Sequence, residues 1–144
     1  MWLYATALVV FILDQLVKVI ILSFLSLGES LPVIPKILHL TLVRNTGIAF
    51  GFLKGNPLWL FIFISLSILV LIILSLKLYQ ASRTLQLAYG MILGGAASNY
   101  LDRIRFGSIV DYIDARVWPV FNLADMAISI GVGLFILTVW LRRR

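Results

Sequence analysis

The sequence predicts an all-α membrane protein with four transmembrane helices in a single domain over residues 1–144, and three observations carry that class. The chain is 62% hydrophobic with a mean hydropathy of +1.07, where a soluble domain would sit nearer half apolar. A helix needs about 20 mostly apolar residues to cross a bilayer, and four stretches supply them, at 2–27, 57–76, 84–101 and 121–141. The 6 acidic and 12 basic residues fall mainly between these stretches or at their ends. The formal charge of +6 forms no patch suited to nucleic acid, and the closing Arg142-Arg143-Arg144 reads as a membrane-flanking anchor. With no cysteine and His39 as the single histidine, several chemistries are excluded: thiolate nucleophiles, Cys-based or multi-histidine metal centres, and any Ser-His triad not built on His39. What remains for hydrolytic chemistry is mainly carboxylate.

The first span lacks a basic leading region and a small-residue cleavage site, so it is expected to be a retained helix. Asp14 and Lys18 lie four apart on one of its faces. They read either as a mutually neutralising pair or as lining for a site, because ionisable groups inside a membrane face protein or water. In the loop that follows, leucines recur at every second position of Ile37-Leu38-His39-Leu40-Thr41-Leu42-Val43-Arg44. That period predicts a strand with one apolar face, bounded by Gly28, Pro32 and Pro35 and broken beyond by Gly47, Gly51 and Gly55. Asn45-Thr46-Gly47-Ile48-Ala49-Phe50 reads by itself as a turn.

The second span is uninterrupted. The third is softened by Gly90, Gly94, Gly95, Ala96, Ala97 and Ser98, residues that allow close helix approach, so the other three are expected to enclose it. Asn99, Asp102 and Arg103 at its end can share one face. An aspartate there opposes the helix dipole, so a compensating partner is expected, most simply Arg103 or Arg105, forming an ion pair that supports a site. Four spans put both termini on one side. Lys77, Arg83 and Arg142 to Arg144 crowd the short link and tail, whereas Lys36, Arg44, Lys54, Arg103, Arg105 and Arg116 spread over two longer loops. Density, not number, places the termini in the cytoplasm.

Four of the six acids, Asp102, Asp111, Asp114 and Asp125, fall between Gly94 and Asp125. Asn122 and Asp125 open the fourth span in the pattern of a capping box. Capping accounts for those two residue types, but not for the delivery of Asp111 to the same membrane face. Two carboxylates in a poorly hydrated site share a proton, so one can act as base on water while the other acts as acid. Asp111 with Asp125 and Asp111 with Asp114 are both possible pairs. Spacing leaves the choice open, although partners from different elements are better placed to face each other across a substrate.

Taken in order, five blocks resemble the lipoprotein signal peptidases, the bacterial type II signal peptidase family. They are Asp14-Gln15-x-x-Lys18, Asn45-x-Gly47-x-Ala49-Phe50, Gly94-Gly95-Ala96-x-x-Asn99-x-x-Asp102-Arg103, Gly107-x-Ile109-Val110-Asp111-Tyr112 and Phe121-Asn122-x-Ala124-Asp125. The resemblance spans nearly the whole chain. It implies four inner-membrane helices with a small extracytoplasmic β-cradle and a short loop helix over the active site. It also implies an aspartic endopeptidase, without metal or cofactor, that cuts diacylglyceryl-modified prolipoproteins just before the lipidated cysteine. The family's catalytic aspartates fall on Asp111 and Asp125. Its substrate-binding or supporting positions fall on Asp14, Lys18, Asn45, Gly47, Gly95, Asn99, Asp102, Arg103, Asn122 and Ala124. Ser98 stands where the family usually has glycine, Met126 where a small hydroxyl residue is common, and the first helix begins without the usual short charged tail. The expected partners are the lipid-modified precursor and membrane lipids, with no nucleic acid and a monomeric state. The competing readings are a small proton-coupled transporter or channel, relaying through Asp14, Lys18, Asp102 and Asp125, and a non-catalytic assembly subunit.

Overall fold

The structure, a computed structural model, describes residues 1–47, 57–78 and 80–142. Ile48, Ala49 and Phe50 of the second block, the expected breaks at Gly51 and Gly55, and Lys54, Arg143 and Arg144 lie outside the described residues. The elements run α1 (Trp2–Phe24), β1 (Ser30–Ile34), β2 (Leu38–Asn45), α2 (Pro57–Leu78), α3 (Arg83–Phe106), β3 (Ile109–Asp114) and α4 (Leu123–Leu141). The protein is therefore mostly helical, with one small antiparallel sheet in the order β1-β2-β3. No short loop helix occurs among the described residues.

Among the described residues, three helices are long and apolar enough to cross a membrane: Trp2–Phe24, Phe61–Leu78 and Leu123–Leu141. The third expected span, α3, is a helix of 24 residues whose composition falls short, for a reason visible in its packing. It lies against α1, α2 and α4, so its surface meets protein and has little need of apolar side chains. A Cβ on Gly95 would sit 2.6 Å from the Ala124 carbonyl, and one on Gly94 would collide with the Ala7 backbone. The glycines let the backbones of α1 and α4 close on α3. By contrast α2 is apolar nearly all round and largely exposed. Burial is inverted relative to a soluble protein: leucines and isoleucines face outward, while Asp14, Lys18, Asn99, Asp102, Asp111 and Asn122 are inside. That inversion is what a lipid solvent selects.

The end of α3 corrects the expected boundary at 101. The helix continues to Phe106 and stops at Gly107, whose left-handed φ of 67° closes a bond from its N–H to the Arg103 carbonyl at 3.0 Å. Asp102 thus lies a full turn inside the helix. The sheet also departs from expectation. Pro32 does not bound the strand but sits inside β1, opposite His39. It is tolerated there because β1 is an exposed edge strand. The predicted strand starts one residue later and runs on to Asn45. Asp111 and Asp114 do not lie in a loop but on β3, which pairs with β2 through Val43↔Asp111 and His39↔Asp114. Ile21 and Leu25 of α1, Leu42 of β2, and Val110 and Tyr112 of β3 form a buried cluster. This cluster seats the sheet on the bundle end where α1 and α3 finish and α4 begins.

Candidate active site

At that end the buried polar residues form one connected centre. Lys18 is 2% exposed, and its ammonium group meets Asp14 Oδ2 at 2.6 Å, Asp102 Oδ2 at 2.7 Å and Asn99 Oδ1 at 3.0 Å. An ammonium has three N–H donors and no acceptor, so this set uses it fully. Asp14 and Lys18 neutralise each other, and Lys18 also reaches Asp102 and Asn99. The partner of Asp102 is neither Arg103 nor Arg105, as was expected, but Lys18. The reason is the longer helix, which turns Asp102 inward towards α1. Arg103 instead donates to the Gly47 carbonyl at 3.2 Å and Arg105 to Gln15 Oε1 at 3.5 Å. Asp102 also accepts from Val110 N at 3.1 Å and Gln15 Nε2 at 2.9 Å. Asp14 Oδ1 accepts from Ala124 N at 2.9 Å, tying α1 to the first turn of α4.

Asn122 is the junction of the site. The capping box is present: its Oδ1 accepts from Asp125 N at 2.9 Å, and Asp125 Oδ2 accepts from Asn122 N at 3.2 Å. Its side chain has a second task that capping does not explain. The same amide donates through Nδ2 to Asp111 Oδ1 at 2.7 Å and to Asn99 Oδ1 at 3.0 Å. Asn99 in turn donates to Asp125 Oδ1 at 2.8 Å. On the other side Asn45 donates to Asp111 Oδ2 at 3.0 Å, while its own Oδ1 accepts from Gly47 N at 3.1 Å. Asn45 and Gly47 thus form the expected turn, and the turn also presents an amide to Asp111.

Asp111 and Asp125 are brought into one hydrogen-bonded network, with Asn122 touching both. Burial raises the Asp111 carboxyl to about 6; the Asn45 hydrogen bond opposes that rise, the neighbouring Asp125 carboxylate adds to it, and the Asn122 bond opposes it. Asp114 belongs elsewhere. It accepts from Thr41 Oγ1 at 2.8 Å, from Arg116 N at 2.8 Å and from the Arg116 guanidinium at 3.0 Å. These partners, the Thr41 bond first, hold it below the ordinary carboxylate range. Three residues apart on a strand, Asp111 and Asp114 face opposite ways.

Two residues in this centre lay outside the expected set. Gln15 donates to Asp102 and to Ser98 Oγ at 2.9 Å, and Ser98 Oγ donates to Asp14 Oδ2 at 2.6 Å. The available signals were a polar Gln beside Asp14 in an apolar run and the hydroxyl before Asn99. Met126 borders a groove with a cavity of about 560 Å³, lined by Ala115, Trp118, Phe121, Asp125, Met126, Ser129 and Ile130. Its walls are almost wholly apolar, with the Asp125 carboxylate at one side. Trp118 is 69% exposed beside it.

Apolar helices outside and a carboxylate–amide centre inside define the class as a helical membrane protein with a buried polar centre. A family model described as signal peptidase (SPase) II matches residues 6–141. The lipoprotein signal peptidase of Halothermothrix orenii is 42% identical over 137 residues, covering 95% of this chain and 94% of that protein. That of Brevibacillus brevis is 44% identical over 144 residues, covering 98% and 96% respectively. A solved bacterial membrane enzyme superposes with a TM-score of 0.84 at 35% identity, covering 94% of this chain and 85% of the other. The chain belongs to the signal peptidase II family, and it is a protease. The transporter reading finds no support in this kinship.

Proposed function

We propose that this chain is an aspartic endopeptidase of the bacterial inner membrane. It removes the signal peptide from diacylglyceryl-modified prolipoproteins by cutting just before the lipidated cysteine. Asp111 and Asp125 are the catalytic pair, sharing one proton between them. The ionised partner takes a proton from water as the water attacks the scissile carbonyl. The protonated partner donates first toward the carbonyl oxygen and then to the departing amine. The pair titrates as a unit. The observation that carries this reading is the double role of Asn122: its side chain donates to Asp111 Oδ1 at 2.7 Å and its backbone N–H to Asp125 Oδ2 at 3.2 Å, so one residue holds both acids in mutual register.

Asp14, Lys18 and Asp102 supply a charged frame, while Asn45, Gly47, Asn99, Arg103 and Asn122 bind and orient around the pair. Gly95 and Ala124 let α3 and α4 approach closely enough to assemble it. We take residues 1–144 as one domain and α3 as a fourth span, enclosed by the other helices, with both termini cytoplasmic and the site at the extracytoplasmic face. The chain acts as a monomer, because α1, β2, α3, β3 and α4 of one copy supply the described residues that surround the pair. The apolar groove beside Asp125 suits an acyl chain or apolar side chain of the precursor, while the peptide reaches the polar centre beneath the Asn45–Gly47 turn. The test uses purified protein in detergent with a diacylglyceryl-modified precursor peptide. Asp111→Asn and Asp125→Asn should each abolish cleavage while the protein still inserts and folds. Robust turnover by either variant removes that residue from the mechanism.

A further inference from the structure

Among the described residues, three side-chain amides touch the two carboxylates, and each could in principle present either its oxygen or its NH₂. What fixes each one differs. The Asn122 oxygen is held by the backbone N–H of Asp125 at 2.9 Å, and the Asn45 oxygen by the backbone N–H of Gly47 at 3.1 Å. Backbone donors cannot turn into acceptors, so both amides direct their NH₂ at Asp111. Among the described residues the Asn99 oxygen has no such backbone anchor. It faces the Lys18 ammonium at 3.0 Å, and it also shares a hydrogen of Asn122 Nδ2, which divides between Asn99 Oδ1 at 3.0 Å and the Val110 carbonyl at 3.3 Å. Lys18 is therefore the undivided donor that keeps the Asn99 NH₂ turned to Asp125 Oδ1 at 2.8 Å. Asp14 and Asp102 hold Lys18 in turn, at 2.6 and 2.7 Å.

We propose that Lys18 is a positioning residue for the reaction. By pinning the Asn99 amide it aims a donor at Asp125, and so sets the pH range over which the carboxylate pair holds a single proton. The inference rests on the Asp111–Asp125 reading of the site. Were Asn99 free to flip, its oxygen would face the Asp125 carboxylate, and a bond that favours the anion would become a repulsion that favours the protonated form. Several other charged or titratable groups face the pair and are left in place by the test. They are Asp102 and Arg103 from α3, the latter within electrostatic reach of Asp125 and Asp111, and Tyr112 from β3, whose hydroxyl accepts from Leu123 N at 3.2 Å.

The experiment is a cycle of variants assayed for kcat and KM across pH with the diacylglyceryl-modified peptide. Lys18→Met with Asp14→Asn removes one positive and one negative charge together, so the direct electrostatic effect on the pair largely cancels. The expected result is a fall in kcat of about tenfold with both limbs of the pH profile displaced upward by about one pH unit. Asn99→Ala should show the same displacement, and combining it with the Lys18 pair should add nothing. Equal additional effects of the Lys18 pair in the presence and absence of Asn99 would overturn the proposal. So would an Asn99→Ala profile that coincides with wild type. If the Lys18→Met chain fails to fold, Lys18→Gln with Asp14→Asn is read instead, and the Asn99→Ala result remains decisive by itself. Failure of the underlying site reading is separate, because it shows as turnover by Asp111→Asn or Asp125→Asn.

Discussion

Asn122 offers a substitution that separates folding from chemistry. Its Oδ1 caps α4, and its Nδ2 bonds Asp111. Replacement by Ser keeps a good cap, since the hydroxyl still accepts from the N3 backbone N–H, whereas Ala removes both roles. Loss of a cap costs about 1 kcal/mol, and loss of a hydrogen bond to a charged group about 1.5–3 kcal/mol. Asn122 is fully buried, so water does not readily replace the missing donor. Asn122→Ser should therefore keep its cap and lower the thermal midpoint by less than Asn122→Ala does. Its kcat/KM should drop by roughly tenfold to a hundredfold, the rate equivalent of that lost bond. Asn122→Ala should lose both stability and activity. Thermal unfolding in detergent and cleavage kinetics on the diacylglyceryl-modified peptide measure the two quantities on the same samples. A Ser variant with wild-type kinetics would show that Asn122 only caps the helix, and the observation that joins Asp111 to Asp125 would lose its mechanistic meaning.

Three further predictions concern the surroundings. Asp111 sits at about 6 when folded, against 3.8 for a free carboxyl, so its contribution to stability is present below pH ~4 and lost as pH rises through ~6, a loss of about 3 kcal/mol. The thermal midpoint should fall across that window and Asp111→Asn should flatten the slope, as followed by unfolding scans at each pH. Gly95→Ala places a Cβ 2.6 Å from the Ala124 carbonyl, whereas a Cβ at Gly133 meets nothing within 4 Å. The first should cost about 1–3 kcal/mol together with most of the activity, and Gly133→Ala should be silent in both assays. Asp114→Asn, which among the described residues touches only the Thr41 and Arg116 contacts, should leave kcat within about twofold of wild type, as these partners lie apart from the pair. A collapse of turnover in that variant would revive Asp111–Asp114 as the acid pair.

Much of the fold could be read from composition because lipid imposes a simple rule on the outer surface. α1, α2 and α4 obey it and stand out as apolar runs. α3 obeys a different rule, since its neighbours are helices, and its end was misjudged because Asp102 and Arg103 look like residues meeting water. β3 was invisible for a related reason: Ile109 to Tyr112 are all buried, and a strand covered on both faces shows no alternation to detect. β2 did show it, because its leucines recur at every second position. Within the site, residue types and spacing gave the frame residues but not their partners. Which cation meets Asp102 depends on how α1 lies against α3, and that is a tertiary fact set by the close approach at Gly94. Ser98 looked like a minor departure beside a motif; its hydroxyl bonds Asp14 inside the buried frame.

The most direct measurement on the carboxylate pair is the pH dependence of kcat/KM for the wild-type protein, taken over pH ~4 to ~9 with the lipidated precursor peptide. Two acids sharing one proton should give a bell, falling at low pH when both are protonated and at high pH when both are ionised. A profile that rises once and stays level to the alkaline end would mean that no protonated carboxyl is needed, and Asp111 and Asp125 could not then be working as acid and base together.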